Sequence, residues 1–412
     1  MLTTRGKALL ALAAGLYVAA WGFGTRPMFL IAVGLLALPV LAWLWVRLTA
    51  KPTALRRYTG HRELVEGGRV VVEVELKTEG GAVPARGRLQ ETVGDLGARP
   101  VALRRAGYGL RGRYEIDPAP RGRYALHAAE LVIDDPLGLA ETRISLGRVD
   151  TLLVYPRVYE LEGLFTEAGS AGGDEGRALL HRTAGYDLHS IRDFQQGESL
   201  RRVHWRSTAK RRKLMVKELT ELPRDENAVV LDCDATAVVG PVGDTSFDAQ
   251  VRATASLLNR MVEAGQRCSL VLHGAQRRRI RIQAGGGEWG TAMAALAAVR
   301  ADADRPLSSM IRDALGATGS ADAVDAARLY VVTGALTPQL ATNLLGLRSV
   351  RRDVAVVWVD TPTFAGVEHV PGAADAAALQ LARARVSVAK ISAGDDLSAV
   401  LSSAMARAAV HG

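Results

Sequence analysis

Residues 228–236 read AVVLDCDAT, an unbroken apolar run that gives way to two aspartates and a threonine. Such a run is typical of a strand that is covered on both faces, as in parallel sheets flanked by helices. Ligand sites in sheets of this kind lie beyond the carboxyl ends of the strands. The segment therefore predicts an α/β domain, and it makes Asp232, Asp234 and Thr236 the first candidate site residues.

Further strand and helix patterns alternate along the rest of the chain. Strand candidates follow at residues 268–273, 278–283, 328–333, 354–359 and 386–391, and helical patterns at 246–264, 288–300, 337–347, 374–384 and 395–409. Residues 278–283 follow the preceding strand after only a short turn, which predicts an antiparallel edge strand. We therefore predict a mostly parallel α/β sheet over residues 221–412.

The Asp-x-Asp-x-Thr loop projects carboxylate and hydroxyl oxygens from one point, and such oxygens are ligands for Mg²⁺ or Mn²⁺. It resembles the Asp-x-Ser-x-Ser metal-ion adhesion site of von Willebrand factor A domains. The resemblance implies a von Willebrand factor A–like domain with Asp232, Asp234, Thr236 and, from a later loop, Thr291 as metal ligands. That site also takes an aspartate after the fourth strand, where this chain has Gly334. The predicted site is therefore degenerate.

Two other interpretations of the same loop remain open. It resembles the haloacid-dehalogenase phosphatases, which implies a metal-dependent phosphatase with Asp232 as nucleophile and Asp234 as general acid and base. Thr333 and Asp360 fall loosely in place, but Lys390 is the only lysine after residue 217 that could hold a phosphate. The structural alternative is that the two aspartates cap the loop that follows them.

The middle of the chain has a different sequence pattern: short segments in which apolar and polar residues alternate are separated by turn residues. Residues 69–76, RVVVEVEL, alternate as a half-buried strand should. Further strand candidates are residues 86–92, 99–104, 111–116, 121–133 and 151–155. We predict a β-sandwich-like domain over residues 55–160 and a linker or loop over 161–184. Residues 134–138, DDPLG, predict a tight turn.

The first 48 residues predict a transmembrane helical hairpin. Residues 8–25 and 27–46 carry no charged residue, and each is about the length that crosses a ~30 Å hydrocarbon core as a helix. Only Arg26 separates them, so the spans fall at about residues 7–24 and 27–46. The alternative is a cleaved signal peptide, and the immediately following second span disfavours it.

Charges flanking the spans predict the orientation. Arg5 and Lys7 precede the first span, Arg47 and Lys51 follow the second, and the turn between the spans holds a single arginine. By the positive-inside rule, both ends face the cytoplasm. We therefore predict a two-pass protein of the plasma (inner) membrane, with the N-terminus and residues 48–412 in the cytoplasm.

Bulk composition excludes few functions. A formal charge of +9 over 412 residues is a modest excess and does not by itself predict a polyanion partner. Cys233 and Cys268 both lie in apolar, strand-like runs, so we predict buried thiols in a reducing compartment and not a disulfide framework.

Residues 192–210, RDFQQGESLRRVHWRSTAK, form a signature within the segment 185–220. It resembles that of a bacterial family catalogued as domain of unknown function 58, which runs Arg-x-Tyr/Phe-x-x-Gly-Asp, Arg-x-Ile-x-Trp, Ser/Thr-Ala-Arg, and then a Leu-x-Val-Lys strand. The signature residues here are Arg192, Phe194, Gly197, Glu198, Arg201, Trp205, Arg206, Thr208, Ala209 and Lys210. Glu198 replaces the usual aspartate, a mild departure.

The resemblance extends over essentially the whole chain and carries a functional implication. Members of this family are typically encoded beside MoxR-type AAA ATPases, so the resemblance implies a membrane-anchored, non-enzymatic adaptor for such an ATPase in the assembly of a protein complex. The signature itself has several physical interpretations. Its arginines form internal ion pairs at a domain junction, dock a partner, or face anionic lipid. No nucleic-acid-binding motif is recognisable.

Overall fold

The computed structural model describes residues 1–50, 53–59, 64–78, 87–106, 109–147, 149–164, 186–193, 208, 213, 215–221, 225–316, 326–349 and 353–402. The chain divides into two compact units, Met1–Tyr155 and Pro156–Gly412. The first contains an N-terminal helical hairpin and a β-domain. The second contains the segment with the signature and an α/β domain.

Two long apolar helices open the first unit, α1 (Thr4–Phe23) and α2 (Arg26–Thr49). The Thr3 hydroxyl caps α1 by accepting a hydrogen bond from the Gly6 N–H, and α1 ends where Gly24 adopts a left-handed conformation. The helices pack through small buried residues, among them Ala13, Ala20 and Ala32. Small side chains at this interface let the helix backbones approach closely, as transmembrane helix pairs do.

The β-domain contains two sheets. Its strands are β1 (Thr53–Thr59), β2 (Leu64–Val65), β3 (Val70–Thr78), β4 (Arg88–Thr92), β5 (Ala98–Ala106), β6 (Gly109–Ile116), β7 (Gly122–Leu126), β8 (Ala129–Asp134), β9 (Glu141–Leu146) and β10 (Asp150–Tyr155). The described strands form an antiparallel sheet in the order β1-β3-β6-β5-β4-β8-β9 and a smaller sheet in the order β2-β10-β7. Inward-facing residues of both sheets share one apolar core, which includes Val72, Leu131, Leu126 and Val154.

The second unit begins with a segment that packs on the α/β domain. The Tyr159 N–H donates to the Ser256 hydroxyl at 3.0 Å, and the Ser398 hydroxyl donates to the Glu160 carbonyl oxygen at 2.6 Å. Leu161 and Leu164 are buried. The β-domain therefore ends at Tyr155, a few residues earlier than the predicted boundary at residue 160.

Two strands of the signature segment are described, β11 (Tyr186–Asp193) and β12 (Met215–Glu221), which form an antiparallel pair. The α/β domain has strands β13 (Asp225–Asp232), β14 (Cys268–His273), β15 (Arg278–Ile282), β16 (Ala326–Thr333), β17 (Asp353–Val359) and β18 (Ser387–Ile391). Its helices are α3 (Ser246–Glu263), α4 (Trp289–Ala298), α5 (Leu307–Gly316), α6 (Pro338–Ser349), α7 (Ala373–Arg383) and α8 (Leu397–Leu401).

The α/β strands form a mixed sheet with the order β15-β14-β13-β16-β17-β18. All described pairs are parallel except β14 with β15, which confirms the prediction of an antiparallel edge. β13 lies at the centre, and the chain moves outward from it in both directions. The strand order therefore reverses beside β13, and its carboxyl end is the place where doubly wound sheets bind ligands.

Candidate functional site

Asp232 ends the central strand β13 and is only 2% exposed. The Thr333 hydroxyl, at the end of the neighbouring strand β16, donates a 2.7 Å hydrogen bond to Asp232 Oδ2. Burial raises the pKa of Asp232 to about 6, and the bond from Thr333 opposes part of that rise. Asp232 Oδ1 is buried and has no hydrogen-bond partner among the described residues. The carboxylate is thus turned into the domain and held there.

Asp234 has a different role from Asp232. It is the N-cap of a short 3₁₀ turn at Ala235–Ala237, and its Oδ1 accepts hydrogen bonds of 2.8 Å from both the backbone N–H and the hydroxyl of Thr236. The predicted metal ligands Asp234 and Thr236 are therefore bonded to each other. For Asp234, the structure agrees with the capping interpretation of the Asp-x-Asp-x-Thr loop.

Gly334 occupies the position at which the von Willebrand factor A site has its second aspartate. A Cβ atom added there would lie 2.8 Å from Gln250 Nε2, 2.9 Å from Thr361 Cγ2 and 3.1 Å from Ala237 Cβ. Gln250 is 1% exposed, so it has little room to move. Packing of α3 and two loops against Gly334 therefore fills the space that an aspartate would need.

Thr291 lies at the opposite end of the sheet from Asp232. Strand β15 runs antiparallel to β14, so its last residue, Ile282, lies beside Cys268 at the amino end of β14. Helix α4 starts after this end and runs back until Ala298 lies in the same cleft as Cys233. Thr291, in the first turn of α4, is exposed and is not brought to the other three predicted ligands. Among the described residues, no group of three or more His, Cys, Asp or Glu side chains could hold a metal ion.

The residues of the phosphatase interpretation divide into two separate groups. Thr333 contacts Asp232, but Lys390 lies on β18, three strand spacings or about 14 Å from β13. Lys390 Nζ lies 3.1 Å from Asp360 Oδ2, and it stacks 4.7 Å above the ring of Trp358. The lysine expected to hold a phosphate beside Asp232 is therefore engaged elsewhere.

Two loops at the carboxyl ends of β13 and β17 expose four valines, a feature that sequence reasoning missed. Val238 is 37% exposed, Val242 85%, Val367 54% and Val370 76%. The loops meet, because a Cβ atom added at Gly240 would lie 3.2 Å from the carbonyl oxygen of Phe364. We call these four residues the valine rim. Its sequence signal is valine, which favours strands, placed among turn residues in AVVGPVGD and FAGVEHVPG.

Hydrogen bonds hold both loops of the valine rim in place. In the first loop, the Ser246 hydroxyl donates to the Ala237 carbonyl oxygen at 2.7 Å and accepts from the Val239 N–H at 2.9 Å. In the second, the Thr363 hydroxyl donates to the Asp360 carbonyl oxygen at 2.7 Å and accepts from the Ala393 N–H at 2.9 Å. The exposed valines are therefore presented by ordered backbone.

Most of the signature lies outside the described residues. Arg192 lies in β11, where its backbone pairs with Val216 of β12, and Thr208 is described as well. The other signature residues, Phe194, Gly197, Glu198, Arg201, Trp205, Arg206, Ala209 and Lys210, fall within 194–207 or 209–212, which the structure does not describe. The predicted strand after the signature is confirmed as β12.

Both cysteines are buried and neither forms a disulfide, as predicted: Cys233 follows β13 and Cys268 begins β14. The two thiols line the interior of the α/β domain as small apolar side chains do.

Comparison with known proteins gives one family and one curated relative. The family model described as "Protein of unknown function DUF58" matches residues 190–367. The uncharacterized protein YeaD of Bacillus subtilis is 29% identical over 227 residues, which is 55% of this chain and 54% of YeaD. The match therefore spans about half the length of that relative.

Similarity to solved structures is weak. The VWA domain of SpRpn10 aligns with a TM-score of 0.32 and 12% identity, covering 43% of this chain and 93% of that domain. Cwp6 from Clostridium difficile aligns with a TM-score of 0.17 and 9% identity, covering 83% of this chain and 37% of that protein. TM-scores this low carry no argument about function. The family match does confirm the resemblance drawn from the signature: residues 190–367 match the model of the family described as Protein of unknown function DUF58.

Proposed function

We propose that the chain is a membrane-anchored cytoplasmic scaffold that docks a protein partner at the valine rim. The partner class comes from the family resemblance and is a MoxR-type AAA ATPase, with which the scaffold would assist the assembly or maturation of a protein complex. The observation that carries the proposal is the valine rim itself, an apolar surface on two ordered loops at the carboxyl edge of the sheet.

The membrane anchor rests on the helical hairpin. Of the helices in the described residues, α1 and α2 are long and apolar enough to cross a bilayer, with 20 and 24 residues and mean hydropathies of 1.4 and 2.5 in their most apolar windows. Most side chains of both spans are exposed in the protein, including Leu30 at 78% and Trp21 at 79%. Lipid would cover this surface, and the positive residues flanking the spans support cytoplasmic ends.

The proposal that a partner docks at the valine rim rests on the exposure of the four valines and on the ordered backbone of their loops. Single exposed apolar residues are ordinary on protein surfaces, but a group of them on adjoining loops is typical of an interaction site. Ordered loops lose little conformational entropy on binding, which favours affinity. Val242 and Val370, the two most exposed of the four, are the expected contacts at the centre of the interface.

The chemical alternatives receive less support from the same edge of the sheet. Asp232 is buried against Thr333, Asp234 caps its own loop, and Lys390 is paired with Asp360. A phosphatase would need the carboxylates of Asp232 and Asp234 and the ammonium group of Lys390 around one phosphate. A divalent-cation-dependent binding domain would need further oxygen ligands beside Asp232. The side chains packed against Gly334 leave no room for an aspartate at that position.

Affinity purification of the full chain from membranes in mild detergent, followed by mass spectrometry, tests the proposal. We expect an AAA ATPase to co-purify with the unmodified protein and to be lost from the double variant Val242→Asp, Val370→Asp. Leu379→Asp is the matched control, because Leu379 is an apolar residue that is 52% exposed on α7 and lies outside the rim. This control should retain the ATPase.

Two outcomes would contradict the proposal. Recovery of the well-folded protein without any AAA ATPase would contradict the adaptor function. Loss of the ATPase from Trp205→Ala, together with its retention by the rim variant, would place docking in the signature segment and contradict the role of the valine rim. Orientation is tested separately: a reporter that works only in the periplasm, fused at Gly412, should be inactive.

A further inference from the structure

The first unit has a loop that joins the β-domain to the ends of both apolar helices. This loop, residues 135–140 between β8 and β9, contains all of the predicted tight turn 134–138 except Asp134, which ends β8. Asp135 is 3% exposed, and its carboxylate accepts hydrogen bonds from the backbone N–H groups of Leu137, Leu139 and Ala140 at 2.9, 2.6 and 2.7 Å. One buried carboxylate thus fixes the shape of the whole 135–140 loop.

The N-terminus of the chain is bonded to this loop. The Thr3 N–H donates to the Leu139 carbonyl oxygen at 2.9 Å, and the Thr3 hydroxyl donates to the Gly138 carbonyl oxygen at 2.7 Å. The Glu141 N–H donates to the Met1 carbonyl oxygen at 2.8 Å. At Gly6, an added Cβ atom would lie only 2.1 Å from the Leu139 carbonyl oxygen, so glycine is required for this approach.

Apolar contacts set the depth of the 135–140 loop along the helices. Leu139 and Ala140 are buried in one cluster with Ala42 and Val46 of α2, and Leu9 of α1 packs against the same cluster. Ala42 and Val46 belong to the last turns of the apolar run 27–46. At a rise of 1.5 Å per residue, Ala42 lies about 7.5 Å further along the helix axis toward the middle of the apolar run than Arg47. The loop therefore reaches the level of the last apolar turns of α2.

The residues around this level fit the interface between lipid headgroups and acyl chains. Leu137, at the tip of the loop, is 59% exposed. Trp43 and Trp45 are also partly exposed near this end of α2, and Arg47 lies over the Trp43 ring at 5.2 Å. Tryptophan and cationic side chains are the usual residues of this membrane region. A leucine projecting there from an ordered loop has an apolar environment available.

We propose that the 135–140 loop is an interfacial membrane contact, in which Leu137 inserts among the lipid headgroups and holds the β-domain against the cytoplasmic leaflet. The inference rests on the proposed function, because it requires α1 and α2 to span the bilayer. It adds a third membrane contact to the two helices, and it identifies phospholipid as the ligand of this surface.

Environment-sensitive labelling of the full chain in vesicles of phosphatidylcholine and phosphatidylglycerol tests the inference. A fluorophore such as NBD is attached to a cysteine introduced as Leu137→Cys, Val149→Cys or Leu30→Cys, and the two buried native cysteines are checked for labelling in the unsubstituted chain. Val149 is the matched control, because it is 64% exposed and follows the far end of β9 from Glu141. Leu30, on α2, reports on the span itself.

We expect the label at residue 137 to emit at shorter wavelength and to be quenched several-fold more strongly by lipids spin-labelled near the headgroup than the label at residue 149. The label at residue 30, near the outer end of the span, should be quenched by lipids spin-labelled in the upper part of the acyl chain. If residue 30 is in lipid and residue 137 behaves like residue 149, the interfacial contact is overturned and the anchor stands. If residue 30 is also in water, the anchor fails, and the interfacial contact fails with it.

Discussion

The hydroxyl of Thr333 donates a 2.7 Å hydrogen bond to the buried carboxylate of Asp232, and so connects the carboxyl ends of the adjacent strands β13 and β16. In a doubly wound sheet, this is the place where a ligand usually enters. Here the acidic side chain is used inside the domain, and the loops above it carry the exposed valines. The bond therefore keeps the Asp232 carboxylate inside the domain, beneath the loops that carry the exposed valines.

Substitution of Thr333 by valine should destabilise the α/β domain. Thr333 is fully buried, and its hydroxyl also accepts a 3.0 Å bond from the Ala335 N–H, so its loss removes one partner from the buried Asp232 carboxylate and one from the part-buried Ala335 N–H. We expect a loss of about 1–3 kcal/mol in the free energy of unfolding. Pulse proteolysis of the full chain in a urea series measures this loss. Thr342→Val, at an exposed position on α6, is the control and should change the midpoint little.

The raised pKa of Asp232 predicts how stability varies with pH. Burial raises it from an ordinary value of 3.8 to about 6, so the folded state binds a proton that the unfolded state releases between these pH values. The contribution of this protonated carboxyl group to the free energy of unfolding is therefore fully present below pH 3.8 and is lost as the pH rises through 6. The free energy of unfolding falls by about 3 kcal/mol over this range. Asp232→Asn should therefore lose less stability than the unmodified chain between pH 4 and pH 7. Equal losses in the same urea series would show that Asp232 does not titrate in this range.

An aspartate at Gly334 should not create a metal site. The Cβ atom of Gly334→Asp would lie within 3 Å of Gln250 and Thr361, and we expect a destabilisation of about 1–3 kcal/mol from overpacking. Gly285→Asp is the control, because an added Cβ atom there meets nothing within 4 Å. Thermal unfolding compares the two variants.

Removal of the Gln250 side chain in Gly334→Asp, Gln250→Ala should relieve part of the overpacking. Calorimetry of this double variant with Mg²⁺ and Mn²⁺ then tests whether the aspartate at residue 334 was the only ligand that the metal site lacked. We expect no binding heat at millimolar metal, because Asp234 remains bonded to Thr236 and Thr291 lies at the other end of the sheet. Metal binding by the double variant would contradict this expectation, because it would show that the aspartate missing at Gly334 is the only ligand that the site lacks.

In the β-domain, the buried ion pair between Arg57 and Glu91 should contribute far more to the free energy of unfolding than exposed ion pairs do. Their side chains are 5% and 1% exposed, Arg57 Nε lies 2.9 Å from Glu91 Oε1, and Tyr114 donates to Glu91 Oε2 at 2.9 Å. Arg57→Met leaves Glu91 buried without its cation, at an expected cost of about 3–5 kcal/mol. The control is Arg111→Met, which breaks a pair with Glu75 that is exposed on the arginine side, at about 0–1 kcal/mol. Equal effects on the thermal midpoint would contradict the role assigned to burial.

The α/β strands could be predicted closely because burial on both faces leaves continuous apolar runs. Residues 268–273 coincide with β14, and the other predicted strands of this domain begin or end within a few residues of those observed. The β-domain was harder. Residues 121–133 are two strands, β7 and β8, and β9 has the sequence ETRISL, whose side chains are mostly exposed or half-buried and give little apolar pattern. Helix α5 was missed, since its pattern is short.

The candidate site shows where sequence reasoning fails for a topological reason. Asp232, Asp234 and Thr236 are on the predicted loop, because a strand end fixes the residues that follow it. Thr291 was misplaced because the antiparallel strand β15 carries the chain to the other end of the sheet before α4 begins. The valine rim was not found because its two loops are more than 120 residues apart in sequence and meet only in the fold.

Site-specific photocrosslinking in membranes tests the central claim most directly. A benzophenone amino acid is placed at Val242 or, as the control, at Leu379 of the full chain, and the crosslinked products are identified by mass spectrometry. The scaffold account predicts a crosslink from residue 242 to an AAA ATPase and none from residue 379. Crosslinking to such an ATPase from residue 379 alone, or from neither position, would contradict it.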